Sequence, residues 1–210
     1  MDKDAKPGDD GLTTTKILDV ARAQIRRYGP AKTNIVDIAK ALGTSHTTIY
    51  RHFRSKADVF DAIVVAAMKD EEELSQAFVA SAGPASERLL GMVLALHGRK
   101  RDRLQGDPEV YELYRRVLDE RPELVRNYAI AMTRLVAAIL KDGVGQGEFR
   151  VDDIDGAAEV VRDAVTVYVH PAHVEAAMKA GIDLETPLRR MIAVLVTALR
   201  SGLHLGSAAT

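Results

Sequence analysis

The chain has 210 residues, 47% hydrophobic and 28% charged, enough apolar material for a substantial core. It has no cysteine, which rules out disulfides and cysteine-based metal or nucleophile chemistry and agrees with a reducing cytoplasm, and no run of 18 apolar residues that would span a membrane. The net charge of −1 hides an asymmetry: residues 11–60 carry nine Lys and Arg against three acids, whereas residues 61–210 carry 18 bases against 23 acids. A basic head on an acidic body implies that only the head meets a polyanion.

Residues 1–11 bear both signs of charge and no apolar run, so they are no signal peptide and read as a disordered leader. From there the pattern is helical. In 13–28, Ile17, Val20, Ala21, Ile25 and Tyr28 share one helix face, and Gly29-Pro30 ends the helix. Thr33 or Asn34 caps a second helix whose inward face is Ile35, Ile38, Ala39 and Leu42, closed by Gly43. Thr44 or Ser45 caps a very short third helix to about Arg51. Ser55 opens a fourth, with Asp58 as its capping-box partner.

Longer helices follow. Residues 87–103 carry Leu89, Leu90, Val93, Leu96 and His97; Asp107-Pro108 starts a helix to about Leu118; residues 122–141 show the clearest helical pattern, with one broad apolar stripe. Gly143 to Gly147 reads as a loop. Asp152 is the expected cap of the next helix, with Asp155 in the capping-box position, and Pro171 interrupts it. Thr186-Pro187 is the expected start of the last helix, through about Ser201. The expected fold is all-α with nine to ten helices: a head over 12–60 and a larger bundle over 61–210.

The stretch from Thr33 to Lys56 carries the most information. Two short helices joined by a glycine turn make a helix-turn-helix. Ile49 and Phe53 point inward, which leaves His46, Thr47, Tyr50 and Arg51 on the outer side of a helix suited to a major groove. Arg51 could bond guanine, and the Thr47 methyl could touch thymine. The hydroxyls of Thr33, Thr48 and Tyr50, together with His52, Lys56 and the helix N-terminus at Ser55, suit phosphates. Taken singly, Tyr50 could equally pack, His52 cap a helix end, and Thr48 satisfy a carbonyl.

The pattern of Asp37, Ile38, Ala39, Leu42, Gly43, Ser45, Thr48, Tyr50, His52, Phe53 and Lys56 resembles the DNA-binding domain of the TetR family, over about residues 12–62. The resemblance implies that His46, Thr47, Tyr50 and Arg51 face bases and that Thr33, Thr48, His52 and Lys56 hold phosphates; Thr44 and Ser45 complete the candidate DNA-binding set. His46 stands where such proteins often have Lys or Arg. The resemblance further implies a C-terminal bundle with a ligand pocket and a homodimer made by the last helices. The apolar arcs of 152–169 and 187–203 suit that role.

Pocket candidates are Met68, Met92, Leu96, His97, Tyr111, Tyr114, Tyr128, Met132 and Tyr168, a lining for a lipophilic or aromatic effector, although each residue type on such a stripe is more often core. His97, His170 and His173 are candidate metal ligands, with helix capping the preferred reading and no cofactor expected. There is no Gly-x-Ser-x-Gly elbow, P-loop or dinucleotide fingerprint, so an enzyme is not expected. The resulting expectation is a cytoplasmic repressor released from a palindromic operator by a small molecule. An activator and a pocketless architectural protein remain the alternatives.

Overall fold

The computed structural model describes residues 12–202. Among the described residues there are ten helices and no strand: α1 (Thr14–Lys32), α2 (Ile35–Ala41), α3 (His46–His52), α4 (Lys56–Ala80), α5 (Ala85–Gly106), α6 (Pro108–Glu120), α7 (Pro122–Gly145), α8 (Ile154–Val169), α9 (Pro171–Lys179) and α10 (Glu185–Ser201). The leader over 1–11 and residue 203 at the end of the last apolar arc lie outside the described residues.

The chain divides into two compact units. The first takes the described residues up to Ala67 together with Gly106–Arg121; the second takes Met68–Gln105 and the described residues from Pro122 on. Helix α6, which the sequence groups with the later helices, therefore belongs to the unit of the head.

In the first unit Ile17, Ala21 and Ile25 of α1 are fully buried, as the three-four spacing requires. Each such isoleucine contributes about 1.5–3 kcal/mol by leaving water. Tyr28 departs from the expected inward face: it is exposed and lies under the Arg27 guanidinium, while Leu18 is buried instead. Gly29 breaks the helix at φ 77°, a conformation that glycine adopts without steric cost, and the chain resumes one more turn to Lys32. Helix α6 adds buried Tyr111, Leu113, Tyr114 and Val117. Ion pairs tie it to its neighbours, Arg26 to Asp107 and Arg121 Nε to Asp61 Oδ2 at 2.8 Å.

The second unit is built round a core from α5, α7, α8 and α10, with Leu89, Ile139, Leu140 and Leu188 fully buried. Helix α8 packs mainly on α7 and also on α10 and α9. Three sequence expectations are corrected. Gly143 is no loop residue; it lies inside α7, where a Cβ would stand 2.8 Å from Ala85 Cβ and 2.7 Å from Phe149 Cε2. The cap of α8 is Asp153, whose carboxylate accepts from Gly156 N, one residue beyond the expected Asp152. Helix α10 starts at Glu185 rather than at Thr186-Pro187, with Asp183 Oδ1 accepting from Glu185 N and Thr186 N.

The N-terminus of α5 is capped from a distance. Glu148 accepts from Ala85 N at 2.6 Å, from the Ser86 hydroxyl and from Arg200 Nη2 at 2.7 Å. Burial raises its pKa, but these hydrogen bonds outweigh burial and hold the carboxyl below the usual range.

Candidate nucleic-acid interface

Helices α2 and α3 form a helix-turn-helix whose geometry follows from a few residues. Asn34 caps α2 by accepting from Asp37 N at 2.9 Å. At its other end Gly43 has φ 67°, and Gly43 N and Thr44 N donate to Lys40 O and Ala39 O, which closes the helix by the Schellman pattern. Ser45 then caps α3: its hydroxyl accepts from Thr48 N at 3.2 Å and meets the Thr48 hydroxyl at 3.0 Å. Ile49 and Phe53 fix α3 from within.

Held in this way, α3 exposes His46, Thr47, Tyr50, Arg51 and His52. The His46 and Tyr50 rings meet edge to face at 6.3 Å on that surface. Thr44 and Thr48 are half-buried and Ser45 is exposed. Thr33 is buried, and its hydroxyl donates to Gly29 O at 2.9 Å, a contact that braces the entry to α2. Lys56 is half-buried; its ammonium donates to Ala31 O at 3.3 Å and lies over the Phe60 ring. Burial, with the nearby Arg116 charge, pushes its pKa below the usual lysine range. The start of α4 is boxed by Ser55 and Asp58: Asp58 N donates to the Ser55 hydroxyl, and the Asp58 carboxylate accepts from that hydroxyl and from Arg54 N.

Residues 17–63 match the family model for bacterial regulatory proteins of the tetR family, and residues 85–187 match that for the tetracyclin repressor-like C-terminal domain. The chain belongs to the TetR family of transcriptional regulators. It is 28% identical to the transcriptional repressor KstR2 of Rhodococcus jostii over 158 residues, 74% of this chain and 77% of that protein. Over 51 residues it is 41% identical to the regulator AcrR of Shigella flexneri, 24% of each chain. Solved structures share the fold. These include SmeT of Stenotrophomonas maltophilia (TM-score 0.64, 19% identity, 96% of this chain and 98% of that one). They also include FadR of Bacillus subtilis in complex with stearoyl-CoA (TM-score 0.59, 19% identity, 91% and 100%).

In this TetR-family chain the nine pocket candidates divide between the units. Tyr111 and Tyr114 lie buried in the first. Met92, Leu96 and Met132 are buried in the core of the second, with Tyr128 and Tyr168 packed against it; Met68 and His97 are buried in the same unit. His97 Nδ1 is 2.7 Å from Tyr168 O, so this histidine joins α5 to the end of α8. The His170 and His173 rings lie 5.3 Å apart where α8 passes into α9. Among the described residues no three His, Asp or Glu side chains are grouped so as to hold a metal ion, and the trio of His97, His170 and His173 is not assembled into one.

A polar cluster that sequence reading missed lies among these residues. Glu71 of α4 is fully buried. Lys100 Nζ reaches its two carboxylate oxygens at 2.8 and 2.7 Å, the Tyr128 hydroxyl donates to it at 2.6 Å, and Arg103 pairs with it as well. Burial pushes the Lys100 ammonium below the usual lysine range; Glu71 pulls it back and Arg103 adds a further push down. The sequence signal was weak, because Glu71 stands within Lys-Asp-Glu-Glu-Glu at 69–73, a run that reads as a solvated face.

Proposed function

We infer that the chain is a cytoplasmic, homodimeric repressor that reads a palindromic operator with α3 and leaves it when a lipophilic effector binds the body. The observation that carries this reading is the outer surface of α3: five exposed polar residues on a helix pinned from within by Ile49 and Phe53. In this proposal His46, Thr47, Tyr50 and Arg51 meet base edges, while Thr44, Ser45, Thr48, His52 and the N-terminus of α4 meet phosphates. Thr33 and Lys56 act from behind, bracing α2 and α4.

Dimerisation is assigned to α8 and α10. Val160, Val167 and Val194 are exposed on them, with Val194 at 66%, and Ala164, Met191 and Ala198 are half-buried beside them. An apolar strip of this kind, on helices whose opposite faces are buried, suits a self-complementary contact. Two heads then stand about one DNA turn apart, ~34 Å. In the same proposal residues 12–60 read DNA and residues 61–210 bind effector and partner, with α6 packed in the unit of the head. The similarity to KstR2, a repressor, supports the sign of regulation. FadR held stearoyl-CoA in its structure, which supports a lipophilic effector.

Selection from a randomised duplex pool by the purified protein tests the reading. Recovery of a palindrome with half-sites about one turn apart is expected. Recovery of sequence-blind, salt-sensitive binding alone would sink it.

A further inference from the structure

Glu71 is the centre of a cage built from three helices: α4 supplies the carboxylate, α5 supplies Lys100 and Arg103, and α7 supplies the Tyr128 hydroxyl. Two cations and a phenol converge on one buried acid. The balancing Asp70, at 3.4 Å from Arg103, is itself mostly exposed. Such a cluster adds little stability over apolar side chains of the same volume. What it does provide is a preformed set of donors for a carboxylate or phosphate.

One turn away on α5 and α7 stand apolar residues of the core, Leu96 four before Lys100 and Met132 four after Tyr128. On a helix these spacings place side chains on the same face. Leu96 and Met132 belong to the buried apolar core, so the cage adjoins an apolar layer, and a methionine there adapts to an inserted chain. Beside the same helices runs a groove of about 320 Å³ whose lining includes Lys69, Glu72, Glu73 and Arg134 and none of the cage residues.

We propose that the cage is an effector-headgroup site held by an internal competitor: Glu71 occupies it until an amphipathic acid displaces the carboxylate and takes Lys100, Arg103 and Tyr128. This proposal rests on the ligand-released reading above and names the chemical class of the ligand. Glu71 lies on α4, which begins at Lys56 directly after the recognition helix, so a competitor for its partners acts on the helix that carries the head. A neutral lipid has no means of displacing a carboxylate from two cations, so discrimination between acid and alcohol is built in.

The test uses the full chain with decanoate and its neutral counterpart 1-decanol, titrated calorimetrically into wild type, Glu71→Gln and Tyr128→Phe. Weakening the internal competitor raises decanoate affinity in Glu71→Gln by about ten-fold, because less of the binding energy goes into displacing it. Tyr128→Phe, a mild change that covers the case of Glu71→Gln failing to fold, lowers decanoate affinity several-fold through the lost donor. Decanol binding stays the same in all three. Equal decanoate affinity in every protein, equal shifts for decanol, or no decanoate binding at all would overturn the proposal. Operator binding by the ligand-free wild type, measured in the same preparation, judges the DNA-reading function separately: it can fail while the decanoate shifts stand, and the reverse.

Discussion

The two units use polar side chains in opposite ways. In the first, the charged and hydroxylic residues of α3 stand in water over a buried apolar floor of Ile38, Ile49 and Phe53. In the second, Glu71, Arg88 and Lys100 are drawn inside, where Glu71 and Lys100 pair with each other and Arg88 Nη2 pairs with Asp142. Exposed polar groups cost little to keep and remain available to a partner. Buried ones contribute only while every member of the network is present, because a lone buried charge is costly. The head should therefore tolerate loss of its polar side chains without unfolding, and the body should not.

That contrast is sharpest at Lys100. Lys100→Met leaves Glu71 without its ammonium partner and is expected to destabilise the protein by about 3–5 kcal/mol, as broken buried pairs do. Denaturant unfolding measures it; a loss below 1 kcal/mol would show that Arg103 and Tyr128 satisfy Glu71 alone. Next in size is Ile49→Ala, which cuts the floor beneath α3. A cost of about 2–4 kcal/mol is expected from the lost burial and the cavity, together with weaker operator binding.

Glu148→Gln is milder, at about 1–3 kcal/mol near neutrality for a hydrogen-bonded acid that caps α5. Its pH dependence has a definite sign. The folded carboxyl titrates below the ordinary value of 4.5, so its contribution is complete above that value and is lost as pH falls through the lower, folded one. Wild type and Glu148→Gln should therefore converge in stability as acid is added from about pH 5. A constant gap through that range would assign the loss to shape rather than charge. The smallest effect belongs to Arg54, exposed beside α3. Arg54→Ala should leave the melting temperature unchanged and, if this cation meets a phosphate, lower the slope of log affinity against log salt by about one.

The same contrast explains what could be read from the sequence. The helix-turn-helix lies within 24 consecutive residues, from Thr33 to Lys56, and each of its devices is local: Asn34 and Ser45 as caps, Gly43 as the turn, Ile49 and Phe53 as anchors. The helices of the body were legible by the same periodicity, with errors at their ends. Asp152 and Asp153 offer equivalent carboxylates, and geometry chose the second. Gly143 looked like a loop glycine because composition does not reveal that Phe149 and Ala85 close on it inside a helix. The cage could not be read, since its partners stand 29, 32 and 57 residues from Glu71 and only folding brings them together. Tyr128 was singled out from its stripe, but no local pattern predicts that its hydroxyl ends on a buried acid.

The most direct test of the central claim is a paired titration of wild type and Arg51→Ala against the selected operator and a scrambled duplex at one fixed salt concentration, with melting curves alongside. If α3 reads bases, Arg51→Ala should lose about 1–3 kcal/mol on the operator, little on the scrambled duplex, and nothing in melting temperature. Equal losses on both duplexes would make Arg51 a phosphate contact at most and would contradict base reading by this helix.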